Sequence, residues 1–221
     1  MTTLLQNNDL FSNLKPAEIS LALQFLHAHN RHYVKGEALQ TIGVPFRFAG
    51  IISTGQVEES CIIEDFNKIR LHQFFAGDLY GAAFAVEQVA SPIQLIAQSD
   101  CDVVTLDLRA LFNPREPLPA FYHQLMQNLT RLLARQNIHD TIRLHIANQK
   151  TIHDKLIVYL RHLPSAPDGY QHLPLSQTGL AAFLGVNRSA LARAISRMKA
   201  KHEIEVHGNK VKLLPAKFHH D

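Results

Sequence analysis

The chain has 221 residues, a net charge of +3, nearly half hydrophobic residues and about one fifth charged ones, the profile of a folded protein of one large or two small domains rather than a disordered one. No apolar run approaches the ~18 residues that span a bilayer, and the first residues lack a basic stretch followed by an apolar core, so neither a membrane segment nor a secretory leader is expected and the expected location is the cytoplasm. Two cysteines, Cys61 and Cys101, exclude a disulfide framework or a four-thiolate metal site within one chain and read as small apolar residues in strands.

The predicted elements begin with a helix whose first turn holds Pro16 and whose Ile19, Leu23 and Leu26 recur at helical spacing. From Arg31 to Leu108 the pattern changes to short apolar or alternating runs: His32–Val34, Phe46–Ser53, Gln56–Ile63, Ile69–Phe75, Ile93–Ala97 and Asp102–Leu106. They are separated by Gly36, Gly43, Gly55, Gly77 and Gly81, which predicts a small antiparallel barrel or jelly roll. Asn113-Pro-Arg-Glu-Pro-Leu-Pro breaks this pattern, and a long helix is predicted from about Leu118 to Ala147. Within it Leu118, Leu125, Leu132, His139 and Ile146 fall every seven residues. That repeat fits a helix–helix seam, here read as a dimerisation helix carrying Leu118, Leu125 and Leu132; the alternative is a core helix lying on its own barrel, and the two can hold on different faces. Asn128, Gln136 and His139 interrupt the repeat. Thr151–Leu163 is amphipathic, and Pro164 to Tyr170 has turn chemistry.

The most informative segment is Leu175-Ser-Gln-Thr-Gly-Leu-Ala-Ala-Phe-Leu-Gly-Val-Asn-Arg-Ser-Ala-Leu-Ala-Arg-Ala-Ile-Ser-Arg-Met. Ser176 suits the N-cap of one helix, Gly185 its left-handed end, and Asn187 the N-cap of a second. Leu191, Ile195 and Met198 would face inward, leaving Arg188, Ser189, Arg193 and Ser196 outside. Helix, tight turn and helix followed by two strands around His207-Gly-Asn make a winged helix-turn-helix. Small residues let such a helix approach the major groove, and arginine suits bidentate contact with guanine. Arg188, Ser189 and Arg193 are the candidate base-contacting residues. Ser176, Gln177, Arg197 and Lys210 are candidates for phosphate, with Lys212 also available on the wing. The charge is distributed accordingly: residues 1–149 carry 11 Lys/Arg against 14 Asp/Glu, whereas residues 150–221 carry 11 against 5.

The stretch Leu184-Gly-Val-Asn-Arg-Ser-Ala-Leu-Ala-Arg-Ala-Ile-Ser-Arg-Met-Lys and the following Glu203–Leu214 resemble the recognition helix and wing of the Crp/Fnr superfamily of transcription regulators. Leu10-Phe, Tyr33-Val-Lys-Gly-Glu, Gly43, Ile51-Ile-Ser-Thr-Gly-Gln-Val and Gly77-Asp-Leu-Tyr-Gly resemble its sensor barrel. The resemblance implies an α+β chain in three parts: a cyclic-nucleotide-binding-like jelly roll (residues 1–112), a dimerisation helix (113–148) and a winged helix-turn-helix (149–221). It also implies a homodimer that binds double-stranded DNA under a small-molecule effector and, for an activator, RNA polymerase as a further partner. The effector region maps to Gly77, Tyr80, Gly81, Ala82 and Ser91. There the chain departs from cyclic-AMP-binding members, which carry a glutamate where Ala82 stands and an arginine where this chain has Ser91-Pro-Ile. Without those charges a cyclic phosphate and its ribose lose their partners, so tight cyclic AMP binding is not expected.

No cysteine precedes Cys61, which excludes a four-cysteine iron–sulfur cluster within the subunit. No cofactor is expected; haem stays open, with His72 or His123 as axial ligands. No nucleophile elbow, metal-binding histidine pair or phosphate-binding P-loop occurs, so an enzyme is not expected. The competing reading is a sensor that acts through a protein partner, its helix-turn-helix vestigial.

Overall fold

The computed structural model describes residues 2–62, 68–115 and 117–215, which fall into two compact units, Met1–Arg135 and Gln136–Asp221. Ile63, the expected end of one strand, lies outside the described residues. Among the described residues no helix is long and apolar enough to cross a membrane.

The first unit opens with α1 (Thr2–Gln6) and α2 (Pro16–Phe25). Pro16 sits in the first turn of α2, where its missing N–H costs nothing, and the Glu18 carboxylate accepts from the Lys15 N–H at 2.7 Å. Eight strands follow: β1 (His29–Tyr33), β2 (Ala38–Gln40), β3 (Ala49–Thr54), β4 (Gln56–Ile62), β5 (Lys68–Phe75), β6 (Leu79–Tyr80), β7 (Gln94–Ala97) and β8 (Cys101–Leu106). They form two antiparallel four-stranded sheets, ordered β1-β8-β3-β6 and β2-β7-β4-β5, the jelly roll the alternating runs predict. Cys61 lies half-buried in β4 and Cys101 buried in β8.

One row of residues crosses the whole first sheet: His29 pairs with Thr105, Thr105 with Gly50, and Gly50 with Tyr80. Gly50 is a steric requirement, because a Cβ there would stand 2.2 Å from the Tyr80 ring. The phenol therefore folds back over the neighbouring backbone. After β6 the chain makes a six-residue helix, α3 (Ala82–Glu87), between left-handed residues Gly81 and Gln88. Six residues hold too little periodicity to register as a helix in sequence.

The long helix α4 spans Tyr122–Ala147 and so begins later than the expected Leu118. Leu118 is flanked by Pro117 and Pro119, and a residue that precedes proline is sterically pushed out of helical conformation. Two members of the seven-residue repeat pack inside the chain. Leu125 is fully buried in the core of the first unit, Leu132 is half-buried, and Ile146 is 1 % exposed in the core of the second unit. Leu125 and Ile146 are thus engaged inside the chain, each in its own unit. Asn128, which interrupts the repeat, is buried too, and its amide donates to the Leu10 and Ser12 carbonyls at 2.9 and 2.7 Å. Its own carbonyl accepts from Gln124 at 2.9 Å, so the buried amide is satisfied. Gln127, Arg131, Ala134, Ile138, Thr141 and His145 are all exposed. Their alternating steps of four and three residues make them one stripe on a helix of 3.6 residues per turn.

The second unit contains the last part of α4, then α5 (Ile152–His162), β9 (Gln171–His172), α6 (Gln177–Leu184), α7 (Arg188–Ala200), β10 (Ile204–His207) and β11 (Lys210–Leu213). Its core joins Ile146 with Leu156 and Tyr159 of α5, Leu180 and Leu184 of α6, Leu191 and Met198 of α7, and Ile204 and Val211 of the hairpin. The three strands form one antiparallel sheet in the order β10-β11-β9. The two-residue β9 carries no alternating signal and was not legible as a strand.

Candidate nucleic-acid interface

Each cap expected from the sequence is in place. Ser176 Oγ accepts from the Gly179 N–H at 3.2 Å and opens α6. Gly185 closes it in left-handed conformation (φ 63°), while the N–H groups of Gly185 and Val186 return to the Ala182 and Ala181 carbonyls. The lost carbonyls of the helix end are thereby paired. Asn187 opens α7, its Oδ1 accepting from the Ser189 N–H at 2.9 Å and from the Ser189 hydroxyl at 2.6 Å. Two capped helices thus meet in a connection of three residues, which keeps α7 well defined from its first turn.

The two faces of α7 differ as the spacing requires. Leu191, Ala194 and Met198 are buried, whereas Arg188, Ser189, Arg193, Ser196 and Arg197 are exposed. Among the described residues the guanidinium groups of Arg188, Arg193 and Arg197 form no hydrogen bond or ion pair, so their donors are free for an incoming ligand. The Ser189 hydroxyl is committed to Asn187 as a donor, which leaves it acceptor capacity only. Likewise the Ser176 oxygen is engaged as a cap, so that beside it the backbone N–H groups at the start of α6 and the exposed Gln177 side chain are what an anion would meet.

The wing is a hairpin in which His207 pairs with Lys210 across Gly208-Asn209. Of these two, Gly208 alone has positive φ, at 60°, the pattern of a type II′ turn. Lys210 is exposed at its tip. Lys212 is not available in the way the sequence suggests. Its ammonium donates to the Asp168 carbonyl at 3.0 Å and lies 5.4 Å from the centre of the Tyr170 ring, which tethers the wing to the preceding loop.

Two further supports were invisible to the sequence reading. Lys155 of α5 donates to the Leu184 carbonyl at the end of α6 at 3.1 Å, a cation placed at the negative pole of a helix. His153 bridges two carboxylates, Asp154 at 3.0 Å and Glu203 at 2.9 Å. These bonds, Asp154's first, raise the imidazole's pKa above its ordinary value, and they join the start of α5 to the residue just before β10.

The expected effector residues fall in the first unit, from the β5–β6 turn through α3 to the segment before β7. The Gly77 carbonyl accepts from Asn8 at 2.8 Å, Gly81 is left-handed before α3, and Ala82 is buried. Ser91 is 2 % exposed, and its hydroxyl is spent on the backbone of Ile93, donating to the carbonyl at 2.6 Å and accepting from the N–H at 3.1 Å. Tyr80 is buried and lines a recess of the jelly roll. His72 stacks edge-on against Phe74 in β5, and His123 is exposed on α4. Among the described residues no group of three His, Cys, Asp or Glu side chains could hold a metal ion.

Residues 154–216 match the model of the Crp-like helix-turn-helix domain. No curated protein matches the sequence. Solved structures share the fold over nearly the whole chain. The catabolite activator protein of Thermus thermophilus is 18% identical with a TM-score of 0.54, covering 94% of both chains. CprK in its complex with OCPA is 14% identical with a TM-score of 0.60, covering 89% of this chain and 90% of its own. The c-di-GMP-responsive regulator CLP of Xanthomonas campestris is 18% identical with a TM-score of 0.53, covering 90% of this chain and all of its own.

Proposed function

We propose that this chain, which carries a Crp-like helix-turn-helix domain on the fold of the Crp/Fnr regulators, is a sequence-specific DNA-binding transcription regulator that works as a homodimer. The observation that carries the reading is α7 itself. It is capped at its first residue and buried on one face, and it presents three unpaired arginines on the other, with Lys210 on the wing beside its sheet. Arg188 and Arg193 read base edges, Ser189 takes part as an acceptor, and Arg197, Lys210, Gln177 and the start of α6 hold phosphates.

The exposed stripe of α4 from Gln127 to His145, centred on Ala134 and Ile138, is the seam between subunits, since Leu125 and Ile146 of the seven-residue repeat are spent inside the chain. Two such subunits would set their α7 helices about 34 Å apart, one turn of the duplex. The signal is not cyclic AMP. Buried Ala82 and the self-satisfied Ser91 offer neither a carboxylate for a ribose nor a guanidinium for a cyclic phosphate, and calorimetry with cyclic AMP should register no saturable heat.

Capture of genomic fragments by the purified protein tests the reading. A shared palindrome with half-sites about one helical turn apart, bound with a steep salt dependence, is the expected result. No enriched sequence, with or without cell extract, would overturn it in favour of a sensor acting through a protein partner.

A further inference from the structure

One recess of the jelly roll contains groups that the fold itself does not use. It measures about 290 Å³ and is lined by Arg31 and Tyr33 of β1, Leu39 of β2, Phe46 and Arg47 of the β2–β3 loop, and Tyr80 of β6. Phe46 is fully buried and stacks on Phe84 of α3 at 5.2 Å, so the loop that carries Arg47 is anchored. Tyr80 is 5 % exposed and Tyr33 8 %, yet among the described residues neither hydroxyl makes a hydrogen bond, and neither Arg31 nor Arg47 has an ion pair. No carboxylate lines the recess. The Tyr80 oxygen, unlike that of Tyr159, keeps contact with solvent in the recess, so a ligand there takes the place of water as its partner. Gly50 leaves the space that the Tyr80 ring and hydroxyl occupy, a Cβ there standing 2.3 Å from the hydroxyl oxygen. Burial also raises the Tyr80 pKa, which keeps the phenol protonated and a donor at neutral pH.

We infer that this recess is the effector site of the barrel and that it takes a small molecule with an oxyanion head, a carboxylate or a phosphate. Arg31 and Arg47 supply the charge, the Tyr80 hydroxyl donates a further hydrogen bond, and Leu39 and Phe46 give an apolar floor for the rest of the ligand. The inference deepens the proposed function by giving the sensor a ligand class, and it rests on that reading only for what occupancy does to DNA affinity.

The chain has five tyrosines and no tryptophan, so its tyrosine fluorescence reports on Tyr33 and Tyr80 over a constant background from Tyr122, Tyr159 and Tyr170. The full chain is titrated at constant ionic strength with inorganic phosphate in one arm and benzoate in the other. A saturable change at millimolar concentrations or below in at least one arm is expected, and the arm that responds identifies the head group. Arg31→Gln and Arg47→Gln should each weaken it roughly tenfold, the worth of one hydrogen bond to a charged group. Both side chains are exposed and unpaired, so these variants keep the fold. Tyr80→Phe, which retains the ring over Gly50, should weaken binding severalfold and remove most of the signal change. Saturation in neither arm, or wild-type affinity in the double arginine variant, would overturn the inference. DNA binding is not the readout, so that failure would leave the proposed regulator standing.

Discussion

Asn187→Ala tests whether the geometry at the start of α7 matters for recognition. The side chain is exposed, so its removal leaves no cavity. What is lost is the cap: one bond to the Ser189 N–H at 2.9 Å and one to the Ser189 hydroxyl at 2.6 Å. Caps of this kind contribute about 1 kcal/mol, which in a unit of this size lowers Tm by roughly 4–8 °C. The same residue holds the turn that carries Arg188 and Ser189. If that turn frays in the free protein and must be re-formed on DNA, a dimer loses about 1 kcal/mol at each of two helices, or about thirtyfold in affinity. The assay pairs urea denaturation with fluorescence anisotropy on a captured operator at fixed salt. Asn187→Ser retains a capping oxygen and should recover most of both losses. A stability loss of the expected size with unchanged DNA affinity would refute the reasoning, because the first turn of α7 would then not be a contact surface.

Three further substitutions separate the remaining roles. Arg193→Ala should cost roughly 1–3 kcal/mol on the preferred site and relax preference at one base pair; a uniform loss on all sequences would reassign the residue to phosphate. Ile138→Asp places a charge in the middle of the exposed α4 stripe and should shift the mass in light scattering from dimer to monomer without lowering the barrel's stability, whereas an unchanged dimer would move the interface elsewhere. His153→Gln addresses pH. The folded imidazole has its pKa raised, first by its bond to Asp154 and then by Glu203, so its stabilisation is fully present below the unfolded value of about 6.5 and is lost as pH rises through the higher folded value. The wild type should therefore melt above the variant at pH 6, with the gap closing in mildly alkaline buffer. A gap that widens with pH would contradict the bridge.

What was legible in the sequence was local chemistry. Ser176, Gly185 and Asn187 act on backbone groups two to four residues away, so residue type and spacing alone place the boundaries of α6 and α7. The alternating runs of the barrel carry the same kind of short-range signal. Which face of α4 meets another subunit was not legible, because a seven-residue leucine repeat looks the same whether its partner is a second helix or the helix's own barrel. Leu125 packs on the barrel and Ile146 in the core of the second unit. Contacts between distant positions left no trace in the pattern. Lys212 is diverted by Asp168, 44 residues earlier in the chain. Arg31, Arg47 and Tyr80 converge only because β1, β6 and the β2–β3 loop meet at one end of the jelly roll.

The buried amide of Asn128 has a consequence for how this chain can vary. It bonds the main-chain carbonyls of residues 10 and 12 rather than any side chain, so the contact is blind to which amino acids occupy those positions and sensitive to how many separate them. Exchange of the half-exposed Ser12 leaves both acceptors where they are, whereas Leu10 and Phe11 are fully buried and fixed by the core as well. Insertion or deletion of a single residue between them withdraws one and strands a polar group among Leu10, Phe11 and Leu125. The contact at the N-terminal end of the molecule therefore measures length, and it should tolerate drift in spelling far better than any change in count.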